Sequence, residues 1–425
     1  MDRDPTRLTR RELLRLALLG AGAVLVDGCR RATSPDPTAT AVPSSVGPSP
    51  TVTGSASSSA TVTTQSRAYL PWVSRDEIVP RTASPTAEVV AAAETTATAE
   101  ATATPAPTAE PTATPVPVAT PFPPGPPSKL GIFLGYQHPA LEQLLKTGNL
   151  PFVKTLEYDP NLVEFIKRIS PDTLVVARYT PLGQFDLAAI DPIAKAREFV
   201  DLLLPIATEP KRRAHIDAWE AYNEPVAKSA DEMKRLSDFE AERTRLLAAE
   251  GIRSCIGNFA AGTPELDLWP DFFPALREVQ THNGFLGLHE YSAPTMWFGT
   301  EGETGWFTLR YRKLYRDYLE AAGLVVPLLI TETGIDGGIE PRPGPPGLGW
   351  QDFTDYWKAE GEVRTTAAGF YMEQLAWYDS ELQKDAYVQG ASIFALAGPV
   401  GWGTFEIVGD MIPLLAQYLT VHPQR

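Results

Sequence analysis

Hydrophobic and polar positions divide the chain into two parts that meet near residue 128. From Lys129 onward, short apolar runs alternate with longer amphipathic stretches, which is the pattern of strand–helix units around a parallel sheet. Eight of the apolar runs have the length of a β-strand. They are Leu130–Tyr136, Phe152–Glu157, Thr173–Tyr179, Ile216–Tyr222, Arg253–Phe259, Phe285–Tyr291, Pro327–Thr333 and Gly390–Leu396.

Helical patterns separate most of these runs, so we predict an α/β fold, a (β/α)₈ TIM barrel over residues 129–425, which is a usual size for that fold. The competing architecture, a doubly wound open sheet, places a glycine-rich phosphate-binding turn after an early strand. No G-x-G-x-x-G follows the first predicted strand, which disfavours it. The predicted helices include Pro192–Leu204, Ala230–Glu250, Arg310–Ala322 and Val363–Glu381.

Residues 30–128 lack this periodicity and consist mostly of Thr, Ala, Pro and Ser. Such a composition buries too little apolar surface to offset the entropy of ordering, and its prolines favour extended conformations. We therefore predict a disordered, low-complexity linker. One apolar island, residues 67–81 with Tyr69 and Trp72, interrupts it. Two interpretations of the island stay open: a sticky linker segment, or a short strand that docks on the barrel.

Residues 1–29 have the features of an export signal. Arg10-Arg11 precede the apolar run Leu16–Val26, which at about 11 residues is shorter than the roughly 20 that span a bilayer. The paired arginines resemble the twin-arginine signal, and Val26-Asp27-Gly28-Cys29 resembles the lipobox of bacterial lipoproteins. This resemblance implies a lipidated Cys29 and a barrel at the cell surface or the outer face of the cytoplasmic membrane. Secretion without a lipid anchor is the alternative.

Charge and ligand-type residues exclude several classes of function. The net charge of −15 argues against a nucleic-acid partner, which needs a basic surface, and suits a neutral or cationic substrate. With Cys29 used for lipid, Cys255 is interpreted as a small buried hydrophobic residue. The five histidines are scattered, and neither an H-E-x-x-H motif nor a cysteine cluster occurs, so we predict no metal and no cofactor.

Two glutamates end predicted strands on the face where barrels carry their functional groups. Glu224 ends the fourth strand in Trp-Glu-Ala-Tyr-Asn-Glu-Pro, and Glu332 ends the seventh in Leu-Leu-Ile-Thr-Glu-Thr-Gly. Hydrolysis of a glycosidic bond needs one protonated and one ionised carboxyl group, about 5–5.5 Å apart in a retaining enzyme. Strands four and seven face each other across a barrel mouth, so the pair can approach closely. The rival carboxylates are Glu157, Glu220 and Glu290, of which the last two are expected in buried networks.

The motif W-E-x-x-N-E-P at strand four, combined with Thr-Glu-Thr at strand seven, resembles the clan A glycoside hydrolases, and the resemblance covers the whole barrel order. It implies that Glu224 is the acid/base, that Glu332 is the nucleophile and that Asn223 binds the sugar 2-hydroxyl. It also implies a β-linked poly- or oligosaccharide substrate. The identity of the sugar cannot be read from the sequence.

Further residues near the strand ends are candidates for substrate binding. His289 and Tyr291 end strand six, also as in that clan; Tyr291 could orient Glu332, and His289 could hold the substrate, with structural hydrogen bonds as the alternative for both. Arg178 ends strand three, where its charge would keep Glu332 ionised.

Aromatic residues on the loops after strands seven and eight could stack on sugar rings. Trp350 and Trp402 are the candidates, with loop-against-loop packing as the alternative for each. Taken together, these features favour a retaining glycoside hydrolase. The alternative is a non-catalytic carbohydrate-binding or structural surface lipoprotein built on the same barrel.

Overall fold

The computed structural model describes residues 122–183 and 186–424. The predicted signal peptide, Cys29, the apolar island and the linker up to residue 121 lie outside these ranges. The last residues assigned to the linker contact the barrel: Phe122 packs edge-on against Tyr418, and Gly125 N donates to Val421 O at 3.0 Å. Among the described helices, none combines the length and the apolar character that a bilayer span requires.

Within the described ranges, eight parallel strands form one sheet in the order β4-β3-β2-β1-β8-β7-β6-β5. Between β4 and β5 the pairing is reduced to one bridge, Trp219 with Ser254, so the barrel is nearly closed. This confirms the predicted parallel barrel, although β4 is shorter than the run Ile216–Tyr222 suggested. The strands are β1 (Leu130–Leu134), β2 (Phe152–Thr155), β3 (Leu174–Arg178), β4 (Ala218–Glu220), β5 (Cys255–Phe259), β6 (Phe285–Ser292), β7 (Leu328–Ile335) and β8 (Val388–Ala397).

Helices follow most strands and pack on the outside of the sheet. Several begin at residues that satisfy free helical amides, as Asp159 does for Asn161 N and Ser229 for Glu232 N. They are α1 (Leu141–Leu145), α2 (Pro160–Ile169), α3 (Pro192–Ala207), α4 (Pro210–His215), α5 (Ala230–Ala249), α6 (Phe273–Thr281), α7 (Tyr311–Leu314), α8 (Glu320–Ala322), α9 (Thr354–Ala359), α10 (Ala367–Leu382) and α11 (Met411–Val421). A π-helical turn, Tyr315–Leu319, joins α7 to α8.

The barrel interior has an apolar layer and, above it, a charged layer. Cys255 is buried in the apolar layer, where the sequence placed it. Because side chains along a strand alternate between its two faces, residues two positions further on point into the same interior. In β2, β3 and β4 those residues are Lys154, Arg178 and Glu220. The apolar layer consists of Phe152, Val176, Ala218, Cys255, Phe285 and Leu329.

Candidate active site

Glu224 follows β4 in a constrained backbone conformation. Its φ is +47°, in the left-handed region that residues other than glycine seldom adopt, and its amide donates to Asn258 O at 3.0 Å. Pro225 follows directly and restricts the turn further. Such strained residues often belong to functional sites, since the surrounding fold must compensate for their cost. The side chain of Glu224 is 19% exposed and therefore accessible from the barrel mouth.

Glu332 lies within β7, three residues before Ile335, because the strand continues beyond the end that the sequence predicted. It reaches the interior through an irregularity in that strand. The register between β6 and β7 shifts between the pairs Leu288–Ile330 and His289–Glu332. Glu332, rather than Thr331, therefore lies across from His289. Bulges of this kind re-aim side chains near active sites. The Glu332 side chain is only 8% exposed.

His289 joins the two glutamates. Its Nδ1 lies 2.9 Å from Glu224 Oε1 and 3.5 Å from Glu332 Oε2, and the side chain is fully buried. One ring nitrogen of His289 and one carboxyl oxygen each of Glu224 and Glu332 all lie within 4.8 Å of one another. The carboxyl oxygens of Glu224 and Glu332 thus approach to within the size of one sugar ring.

Positive charge surrounds Glu332. Arg178 Nη1 lies 3.2 Å and Lys154 Nζ 3.8 Å from its Oε1. Burial by itself would raise the pKa of Glu332. The charges of His289, Lys154 and Arg178, together with a hydrogen bond from Tyr291, outweigh burial and lower that pKa below its ordinary value. Glu332 is therefore ionised at neutral pH.

Tyr291 and Asn223 complete the contacts around the pair. The Tyr291 hydroxyl donates to Glu332 Oε2 at 2.9 Å. Burial and the neighbouring carboxylates raise the pKa of Tyr291 well above its ordinary value, so the hydroxyl keeps its proton. Arg178 also donates to Asn223 Oδ1 and so links the residue before Glu224 to Glu332. The structure brings these predicted residues together in one site.

The two predicted tryptophan platforms have different surroundings. Trp350 is 5% exposed, stacks on Tyr371 with ring centroids 5.1 Å apart, and donates from Nε1 to Glu406 O. One ring face and the polar atom of Trp350 are therefore used in packing, which favours the loop-packing alternative. Substrate binding by Trp350 stays a prediction. Trp402 is half-buried and meets Phe394 edge-on at 5.4 Å. Phe394 in turn contacts Tyr291, which places Trp402 beside the site.

Two of the rival carboxylates, Glu290 and Glu220, are buried and have partners of their own. Glu290 accepts hydrogen bonds from Leu309 N, Tyr311 N and the Tyr378 hydroxyl, and thereby ties the loop after β6 to the barrel. Burial raises the pKa of Glu290 to about 7, although these hydrogen bonds oppose the rise. Glu220 is buried against Lys154 at 2.6 Å.

Two charged groups near the site were not found from the sequence. Lys154 is a lone cation in the apolar run of β2. A charged residue within a buried strand was the sequence feature that could have identified it. Asp336 follows β7. Burial and the charges of Glu224 and Glu332 raise the pKa of Asp336 to about 6, against a hydrogen bond from Gly338 N. Its signal was an acidic residue in the turn Gly-Ile-Asp-Gly-Gly.

Glu224, His289 and Glu332 could each offer one ligand atom to a metal ion. However, Lys154 and Arg178 already bring two positive charges to Glu332. A further cation would be repelled by them at short range.

No protein-family model matches the sequence, and no curated protein matches it. Among solved structures, the fold is similar to the β-D-glucuronidase of Dictyoglomus thermophilum, with 11% identity, a TM-score of 0.43, and coverage of 69% of this chain and 50% of that one. The Ruminococcus gnavus β-glucuronidase is 14% identical, with a TM-score of 0.44 and coverage of 69% of this chain and 49% of that one. The endo-β-1,3-glucanase of Pseudomonas viridiflava is 12% identical, with a TM-score of 0.38 and coverage of 68% of this chain and 96% of that one. The chain thus spans about half the length of the two glucuronidases.

Proposed function

We propose that this protein is a retaining glycoside hydrolase that cleaves O-glycosidic bonds in poly- or oligosaccharides. The observation that carries the proposal is the approach of Glu224 and Glu332, which each have a carboxyl oxygen within 4.8 Å of the other's. Retaining enzymes hold the two carboxyl groups about 5–5.5 Å apart, whereas inverting enzymes need about 6.5–9.5 Å to admit a water molecule. The expectation of a β-linkage rests on the motif resemblance alone.

The reaction proceeds in two displacements at the anomeric carbon. Glu332 attacks that carbon and forms a glycosyl ester, while the bond to the leaving oxygen breaks and Glu224 gives that oxygen its proton. In the second step Glu224 takes a proton from water, the water oxygen attacks the anomeric carbon, and the ester bond to Glu332 breaks. Asn223 binds the sugar 2-hydroxyl, as the motif resemblance implies, and Trp402 stacks on a sugar ring.

A panel of activated 2-deoxy-2-fluoro glycosides, followed by mass spectrometry, tests this assignment. Hydrolysis of the trapped ester is slow, so the label should remain on the peptide that contains Glu332, and the reactive member of the panel identifies the sugar. With the corresponding aryl glycoside, ¹H NMR should show that the first product keeps the anomeric configuration of the substrate. Inversion, or label on a different carboxylate, would contradict the mechanism.

Variants separate the two roles. Glu332→Ala should abolish turnover. Glu224→Ala should lose about 10²- to 10⁴-fold on substrates with poor leaving groups, and much less on dinitrophenyl glycosides, which leave without a proton. The matched control is Glu157→Gln, which replaces a carboxylate just after β2 and should retain activity. Glycan binding without turnover of any substrate would favour the non-catalytic carbohydrate-binding alternative.

We further propose that the chain is exported and anchored through a lipid on Cys29. The paired arginines, the short apolar run and the lipobox-like sequence support this, and a proline-rich linker would let the barrel reach polymer away from the membrane surface. Palmitate labelling of the wild-type chain and of Cys29→Ala tests the anchor. Equal label in both would exclude it and leave secretion as the alternative.

A further inference from the structure

A lysine is buried beneath the candidate active site. Lys154 lies in β2 and is 0% exposed. Its Nζ is 2.6 Å from Glu220 Oε2, 3.8 Å from Glu332 Oε1, and 5.6 Å from the ring centre of Phe133. A buried ammonium group is expensive unless it is paired, and leaving either partner alone would be strongly destabilising. Neither step of the proposed reaction uses this lysine directly.

The charged side chains around Glu332 alternate in sign. Glu220, Lys154, Glu332 and Arg178 follow one another across β4, β2, β7 and β3. Arg178 and Lys154 share Oε1 of Glu332, but they differ in access and in partners. Arg178 is partly exposed and also donates to Asn223, the residue proposed to bind the sugar 2-hydroxyl. Lys154 is sealed inside the barrel and has Glu220 on its other side.

The two oxygens of Glu332 consequently have different surroundings. Oε1 faces the cations, whereas Oε2 accepts the Tyr291 hydroxyl and lies 3.5 Å from His289 Nδ1. His289 also contacts Glu224, so Oε2 is the oxygen on the side of the acid/base. Because Lys154 is fully buried, its contact with Oε1 is out of reach of an entering substrate.

We propose that Lys154, held by Glu220, is a positioning residue that fixes Oε1 of Glu332 inside the barrel and keeps the carboxylate ionised, so that Oε2 attacks the sugar. This inference rests on the proposed glycoside hydrolase function. Because the pair is isolated from water, its effect on Glu332 is screened little by salt. Glu220 fixes the lysine and at the same time limits the net charge of the pair.

The experiment compares Lys154→Met with the double variant Lys154→Met/Glu220→Gln. The single change leaves Glu220 buried without its partner, whereas the double change removes both charges and is the variant expected to fold. Both should move the acidic limb of kcat/KM to higher pH, by about 1 pH unit or more in the single variant and by less in the double variant. The matched control removes another buried ion pair, outside the barrel, in Arg312→Met/Asp385→Asn, and should leave the limb in place.

A second measurement does not depend on turnover. ¹³C NMR of labelled glutamate carboxyl groups, with Glu332 assigned by loss of its signal in Glu332→Gln, reports directly on the titration of that carboxyl. In the double variant the Glu332 signal should titrate at higher pH than in the wild type. If it titrates as in the wild type, Lys154 is only structural and the inference is wrong. A wild-type protein that turns over no glycoside would refute the proposed function instead, while the NMR titration would still decide the role of Lys154.

Discussion

Replacing Tyr291 with phenylalanine removes one hydrogen bond from Glu332 and little else. The hydroxyl donates to Oε2 at 2.9 Å, and Tyr291 is 5% exposed, so water cannot readily replace it. A hydrogen bond to a charged acceptor contributes about 1.5–3 kcal/mol, and one pKa unit corresponds to about 1.4 kcal/mol. The bond favours the ionised form of Glu332, so its loss should raise the pKa of Glu332 by about 1–2 units. The ring of Tyr291 packs against Phe394, and phenylalanine preserves that contact.

The assay is kcat/KM for an aryl glycoside between pH 3 and pH 9. In Tyr291→Phe the acidic limb should move to higher pH by about 1–2 units. With a raised pKa, Glu332, the proposed nucleophile, stays protonated and unable to attack up to a higher pH. Tyr418→Phe removes an equally buried hydroxyl, bonded at 2.8 Å to Asp379 Oδ2 outside the site, and serves as the control. A limb that stays in place or moves to lower pH, in a folded Tyr291→Phe protein, would refute this account of how Glu332 is kept ionised.

Two further predictions concern stability and binding. The pKa of Glu290 is raised to about 7 in the folded protein, so between about pH 4.5 and 7 the folded state holds a proton that the unfolded state has lost. The free energy of unfolding should therefore fall by on the order of 3 kcal/mol as pH rises through that range. Urea denaturation at a series of pH values should show this slope in the wild type and a flatter one in Glu290→Gln, and equal slopes would contradict it. Trp350→Ala should lower the free energy of unfolding by about 3–5 kcal/mol because the ring is buried, whereas Trp402→Ala should mainly raise KM. Thermal melts and kinetics distinguish the two, and a Trp350 variant of normal stability with a raised KM would identify Trp350 as a sugar platform and contradict the packing role.

Much of the barrel could be predicted from local patterns. Each strand is an apolar run of the right length bounded by polar residues, and several helices begin at a side chain that caps free amides, such as Asp159 or Ser229. Glu224 and Glu332 could also be predicted from the sequence, since Asn223 and Pro225 flank Glu224 and an apolar strand precedes Glu332. The length of β4 was overestimated because the apolar run continues into the turn that carries Glu224.

What the sequence by itself determined is therefore the order of strands and helices and the location of Glu224 shortly after β4 and of Glu332 in the C-terminal half of β7, because these follow from periodicity and from neighbours in the chain. Only the tertiary structure decided that Lys154 meets Glu332, that a register shift sets Glu332 opposite His289, and that Trp350 is covered by Tyr371. Those contacts join residues far apart in sequence. They depend on how the sheet closes and how its strands are staggered, which local pattern does not specify.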